Sequence, residues 1–336
     1  MPTAFYSHPD CRRHDMGRGH PECPQRLDAI EDHLLATGLN VALDRRDAPL
    51  AELKDLGLAH GSGYVTQLQD FMAGIDASGE PRAVDPDTIA GPGSWGAALR
   101  AAGAAVAATD AVIDGTADNA FCAVRPPGHH ATRNESMGFC FFNNVCVAAR
   151  HALDVRGLDR VAIIDFDVHH GNGTEDIVAN DDRILMVSFF QHPLYPGSGG
   201  VPLGTNMVNL PIPPYTRGHE VRELIEAMWM PALEAFRPQM IFISAGFDAH
   251  RDDDLGQLGL VESDYEWITR RIKAVAERHA KGRIVSTLEG GYNLGALARS
   301  VALTIVNPLL TRQLDQVEES MLRLALMPRL SVEAGR

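Results

Sequence analysis

The run Val161-Ala162-Ile163-Ile164-Asp165-Phe166-Asp167-Val168-His169-His170-Gly171-Asn172-Gly173-Thr174 decides how the rest of the chain is read. Its first four residues are apolar and largely β-branched, a run short enough for a strand buried on both faces. Polarity changes abruptly at Asp165, and Asp165, Asp167 and His169 follow at every second position. In extended backbone that spacing points all three side chains to one side. Two carboxylates and an imidazole converging where a buried strand ends suit a divalent cation, and gathering them is costly otherwise. Taken singly, the acids read as caps for the next element and the histidines as hydrogen-bonded core residues. The combination favours a site, and Gly171-Asn172-Gly173 lets the backbone turn sharply beneath it.

Outward from that stretch, the 336 residues read as a single domain, 1–336, with ample length to bury a core. Met1 to Asp15 lacks the basic start and apolar run of a signal peptide. No window holds the roughly 18 consecutive apolar residues of a membrane span, so no membrane partner is expected. Cys11, Cys23, Cys122, Cys140 and Cys146 form no CxxC pair and no regular framework, which points to a reduced, cytoplasmic protein. A formal charge of −14 argues against a nucleic-acid partner. It would steer cationic ligands such as a lysine-rich tail or a polyamine, although plain solubility accounts for it better.

The N-terminal cluster Cys11, His14, His20 and Cys23 has spacings that match no zinc motif. Pro24 to Leu39 reads as an amphipathic helix, with Leu27, Ile30, Leu34 and Leu35 on one face and Gly38 as its stop. Residues 76–93 read as a long surface loop. Ser94 is expected to cap an Ala-rich helix that runs to about Asp114 and ends at Gly115. Apolar runs at 120–124, 161–165, 184–188, 240–244 and 284–288 read as strands, with helices near 144–156, 218–236 and 262–280. That alternation predicts an α/β domain with a mostly parallel central sheet flanked by helices on both faces. Ligands of such sheets sit beyond the carboxyl ends of the strands.

The polar residues that follow these strands form a set. Arg125-Pro126-Pro127-Gly128-His129-His130 follows the first and Asp165 to Thr174 the second. Ala245-Gly246-Phe247-Asp248-Ala249-His250 and Glu289-Gly290-Gly291-Tyr292 follow two others. With these residues in view, the chain resembles the histone deacetylase-like amidohydrolases, zinc-dependent lysine deacetylases of class II type within the arginase–deacetylase superfamily. The motifs that carry the resemblance are HPECPQRL (20–27), RPPGHHA (125–131), GFCFFNN (138–144), DFDVHHGNGT (165–174), AGFDAH (245–250) and EGGY (289–292). They span most of the chain in the family's order.

The resemblance implies the arginase/deacetylase fold and a catalytic Zn2+ held by Asp167, His169 and Asp248. Three protein ligands leave positions open, as a catalytic zinc requires. It further implies that His129 and His130 form a tandem acid/base pair, with Asp165 behind His129 and Asn172 behind His130. Asn172 stands where some relatives have Asp, and a neutral partner leaves His130 easier to deprotonate. Tyr292 would stabilise the oxyanion. Gly138, Phe139, Tyr195 and Leu255 would line a narrow tunnel for an acylated lysine or acylated amine, although Phe139 and Leu255 also read as plain core residues. Carbonyls of Asp165, Asp167, His169 and Phe189, with Ser188, match a structural K+ site in relatives. A homo-oligomer, dimer or tetramer, is compatible with the resemblance.

Two departures bear on the transfer: Phe190 replaces a common His, and Tyr195 replaces a common Phe. His170 and His250 become supporting residues, and His8, His14, His20 and His192 loop or rim residues. Three further readings stand beside deacetylation of lysine-type amines. An acetylpolyamine deacetylase is disfavoured by Leu255 at the rim, where some polyamine-selective relatives carry an acid. A di-manganese ureohydrolase lacks its second-metal carboxylates here. A catalytically silent acyl-amine binder would have no reason to keep Tyr292 together with both histidines.

Overall fold

The computed structural model describes residues 3–309, with side chains to Ile305 in the last helix; residues 310–336 of the expected domain lie outside the described residues. Among the described residues ten strands occur, in chain order: β1 (Thr3–Ser7), β2 (Leu43–Asp47), β3 (Arg82–Ala83), β4 (Ile89–Ala90), β5 (Asn119–Cys122), β6 (Val161–Asp165), β7 (Ile184–Gln191), β8 (Met207–Ile212), β9 (Ile241–Ala245) and β10 (Ile284–Leu288). Eight of them share one sheet in the order β2-β1-β5-β10-β9-β6-β7-β8, while β3 and β4 form a separate antiparallel ribbon. All pairings in the large sheet are parallel.

The order explains how distant motifs meet. The chain lays down β1, β2 and β5 at one end, crosses to β6, β7 and β8 at the other, and returns to insert β9 and β10 between β6 and β5. β5, β10, β9 and β6 thus become consecutive neighbours, about 4.8 Å apart. Because they are parallel, the four loops that follow them leave the sheet along one edge. Every residue of β6, β9 and β10 is buried, so both sheet faces are covered there, as suits strands that are mainly apolar.

The Ala-rich helix Ser94–Ile113 packs against β5, β10 and β1. Its length and apolarity alone would allow it to cross a membrane, but Ala97, Ala101, Ala104, Ala105 and Ala108 are fully buried. Helices at Asn144–Arg150, Gly218–Leu224 and Glu262–His279 match the expected stretches, the first two prolonged by π-helical turns at His151–Val155 and Ile225–Trp229.

Several expectations need correction. Gly93, at φ 88°, is the N-cap of the Ala-rich helix, whereas Ser94 is its first residue; its hydroxyl accepts from Gly91 N–H and bonds His14 Nδ1. Leu35 is 65% exposed, because one residue after Leu34 it turns about 100° off the buried stripe of Leu27, Ile30 and Leu34. The segment 76–93 is only partly loop, since helix Ser62–Ser78 runs into it and β3 and β4 pair within it. His14 is fully buried rather than at a rim. The outermost strands were not expected: β2 carries four consecutive charged residues, Asp44 to Asp47, and β8 contains Pro211, both of which blunt a sheet edge.

Candidate active site

The loop after β6 carries Asp165, Asp167 and His169, and the loop after β9 carries Asp248. Single ligand atoms of Asp167, His169 and Asp248 lie within 4.8 Å of one another, the one such metal-holding group among the described residues. His169 Nδ1 is 3.1 Å from Asp167 Oδ1 and 3.2 Å from Asp248 Oδ2. Both carboxylates are fully buried. Backbone N–H groups hold them: Gly290 N–H donates to Asp167 Oδ2 at 2.8 Å, and Val168 N–H to Asp248 Oδ1 at 2.8 Å. Burial and then Asp167 push the Asp248 carboxyl up to about 7, as expected of two carboxylates gathered where a cation belongs. Two buried carboxylates and an imidazole, each offering a ligand atom within one ion's reach, fit a divalent metal.

The loop after β5 brings two histidines beside this cluster. His129 Nδ1 is 3.0 Å from Asp165 Oδ2, and its Nε2 is 3.8 Å from Asp167 Oδ2. Burial opposes charge on His129, but Asp167 and Asp165 outweigh it and raise the imidazole to about 10. A cation at Asp167 would offset part of that attraction. His130 is different. Burial, then His129 and His169, hold it well below the usual imidazole range. Its Nδ1 is 2.7 Å from Asn172 Oδ1, and Asn172 Nδ2 donates to Met137 Sδ at 3.3 Å. With the amide nitrogen so committed, Oδ1 accepts from His130 Nδ1–H, which leaves Nε2 free to take a proton.

Tyr292 follows β10 on a loop gripped from several directions. The Arg26 guanidinium, fully buried, donates to Gly291 O at 2.7 Å and Glu289 O at 2.5 Å, and lies 5.0 Å over the Tyr292 ring. Arg26 is held in turn by Glu22, which also takes two 2.5 Å bonds from Arg125. Glu289 Oε2 accepts from Gly128 N–H at 2.6 Å and His129 N–H at 3.1 Å, tying the histidine loop to the tyrosine loop.

Above these groups opens a cavity of about 250 Å³ lined by Asp87, His130, Gly138, Phe139, His169, Leu194, Tyr195, Leu255 and Tyr292. The four expected tunnel residues therefore do line one space. Phe139 has φ 69°, a strained conformation for a side chain of its size, and its N–H is held by Thr88 Oγ1 at 2.9 Å. Its ring stands edge-on to His20 at 4.7 Å and to Tyr292 at 6.0 Å. The Tyr195 ring stands edge-on to His130 at 5.2 Å.

His170 pairs with Glu175 and His250 approaches Glu262, so neither enters the metal cluster. Asp165 and Ser188 are register partners on β6 and β7, with both residues buried. Sequence reasoning assigned no role to Arg26, Asp87, Asp253 or Glu289. Glu289 lay in plain view in the EGGY motif, and Asp87 sits in a turn in which Asp85 Oδ1 accepts from Asp87 and Thr88 N–H groups.

Comparison with known proteins agrees with this geometry. The sequence family described as "Histone deacetylase domain" matches residues 20–307. A histone deacetylase-like amidohydrolase of Pseudomonas aeruginosa is 40% identical over 283 residues, 82% of this chain and 73% of that protein. A probable deacetylase of Archaeoglobus fulgidus is 37% identical over 88% of this chain and 83% of its own length. The crystal structure of the HDA15 HD domain superposes with a TM-score of 0.84 at 29% identity, covering 96% of this chain and 98% of that one. The chain belongs to the histone deacetylase family.

Proposed function

We propose that this protein is a zinc-dependent amidohydrolase that removes acetyl or other short acyl groups from lysine-type amines. The observation that carries the reading is the buried Asp167/His169/Asp248 set lying beside two oppositely tuned histidines and a tyrosine, all at one cavity. Zinc held by those three residues supplies Lewis-acid character, polarising an amide carbonyl and acidifying a water.

The protein's own groups do the rest. His130, neutral and with Nε2 free, takes the proton of the attacking water and returns it to the amine nitrogen as the C–N bond breaks, so that amine and carboxylate leave. His129 stays charged against Asp165 and steadies the negative charge that develops beside it. Tyr292 donates its hydroxyl to the carbonyl oxygen as that oxygen becomes anionic. Phe139, Tyr195 and Leu255 exclude water from a space narrow enough for a linear alkyl chain. A structural K+ held by carbonyls of Asp165, Asp167, His169 and Phe189, with Ser188, belongs to the same proposal; it is supported by the Asp165–Ser188 register.

Acetylpolyamines are a second substrate reading, supported by one feature: Asp87 lines the cavity, and it and Asp85 lie close enough to help raise the Tyr195 phenol, after burial. A panel of acetyl-lysine peptides, longer acyl-lysines and acetylpolyamines with zinc-loaded protein separates the two. We expect acetyl-lysine peptides to have the highest kcat/KM, and Leu255→Glu to shift preference toward polyamines. A tenfold wild-type preference for acetylpolyamines, about 1.4 kcal/mol, would overturn the first reading.

A further inference from the structure

We propose that Asp253 is a positioning residue for the Tyr292 hydroxyl and couples its placement to the rim residue Leu255; the inference rests on the deacetylase reading above. Asp253 is 5% exposed, on the loop after β9, five residues beyond Asp248. Its Oδ2 accepts from the N–H of Tyr292 at 2.6 Å and of Asn293 at 2.9 Å, and its Oδ1 accepts from Leu255 N–H at 3.1 Å. Three backbone donors therefore converge on one buried carboxylate. A carboxylate is the side chain that suits this place, because both of its oxygens accept and neither donates.

The placement matters because of what the other tethers leave free. Asp167 holds Gly290 N–H and Arg26 holds Gly291 O, both before the tyrosine. Gly291 has φ 116°, so the chain can swivel just ahead of Tyr292. Among the described residues, Asp253 is the side chain that grips the N–H groups of Tyr292 and Asn293 on the far side of that swivel. Leu255 and Tyr292 line the same cavity. A substrate that presses on Leu255 therefore acts on the carboxylate that sets the tyrosine. The competing view is that Asp253 only staples two loops and contributes to stability alone.

A double-mutant cycle tells these apart, read as single-turnover and steady-state acetate release from an acetyl-lysine peptide. Asn at 253 has one acceptor oxygen, so whichever way the amide turns, its NH2 faces a backbone N–H. We expect Asp253→Asn to lower kcat about 10–100-fold, the scale of a misplacement near 1 Å, with KM within about threefold. In a Tyr292→Phe background, where no hydroxyl is left to position, the same change should cost less than about threefold. Hydrogen exchange in a peptide spanning residues 290–297 should be faster in Asp253→Asn than in wild type, in the metal-free protein as well. Should Asp253→Asn fail to fold, Asp253→Ser, which keeps a small acceptor, goes through the same cycle. Equal losses in both backgrounds, unchanged hydrogen exchange, or Asp253→Asn activity within threefold of wild type would each overturn the proposal. If zinc-loaded wild type releases no acetate, the deacetylase reading fails; if Tyr292→Phe keeps full activity, the oxyanion role on which this inference rests fails with it. If that variant is nearly dead while Asp253→Asn is unimpaired, only the present inference fails.

Discussion

Gly138→Ala probes the site through a single methyl group. Gly138 has φ 56°, and a Cβ built there would lie 2.4 Å from His130 Cδ2, 2.6 Å from its Cγ and 2.9 Å from its Cβ. Left-handed backbone costs a non-glycine residue roughly 1–2 kcal/mol. The closest approach falls about 1 Å inside ordinary contact, and overpacking of that kind costs roughly 1–3 kcal/mol more. His130 cannot yield freely, because His129 lies 4.0 Å away on one side and Tyr195 5.2 Å away on another, centroid to centroid. It must shift by about 1 Å and stretch its 2.7 Å bond to Asn172. A displaced base of that size costs about 100-fold in rate, or about 2.7 kcal/mol of barrier. The assay is acetate release from an acetyl-lysine peptide, with zinc content and thermal midpoint measured on the same sample. We expect zinc retained, a midpoint lowered by several degrees and kcat down about 100-fold. Activity within threefold of wild type in a folded, zinc-loaded Gly138→Ala protein would refute the role of His130.

Tyr292→Phe should retain zinc and thermal stability, bind an acylated substrate nearly as before, and lose roughly 10²–10³ in turnover; a loss below about threefold would remove the oxyanion role. His60 sets an acid limit on stability. Its Nδ1 bonds Thr132 O at 3.0 Å while its Nε2 accepts from Asn143 N–H at 2.9 Å, so the folded state requires the neutral ring. Burial lowers its pKa from 6.5 to about 4, so its stabilising contribution is complete above 6.5 and is lost as pH falls toward 4. Between pH 7.5 and pH 5, urea unfolding should show a stability loss about 2 kcal/mol smaller in His60→Gln than in wild type, and an equal loss in both would dismiss the assignment.

How much of this was legible in the sequence depends on where each residue sits. The strands β6, β9 and β10 announce themselves as short, mainly apolar runs suited to burial on both faces, and each leads within four residues to a candidate site residue. The residues proposed to hold the metal, the two histidines, Asn172 and Tyr292 were picked out for that reason and through the resemblance their motifs carry. The edge strands β2 and β8 were not, since partial exposure lets charge and proline into them. Supporting residues were the least visible. Arg26 lies 265 residues from the carbonyl of Gly291 that it holds, and Asp253 lies 39 residues from Tyr292. Arg26 stood inside the motif at 20–27 and Asp253 in none, but nothing local names the partner of either, because it is supplied by a sheet order in which β10 is inserted beside β5 and β9. Gly138 showed as part of a motif, but the His130 ring that forbids its Cβ appears only in three dimensions.

The most direct test of the central claim is a zinc titration of metal-stripped protein, with bound metal and acetate release followed together. We expect no release without metal, a linear rise to one zinc per chain, and no further rise beyond it. Asp248→Ala should bind no zinc at the same concentrations and release no acetate, with its fold intact by circular dichroism. Full amide hydrolysis by the metal-free protein, or undiminished zinc-dependent release by Asp248→Ala, would contradict it.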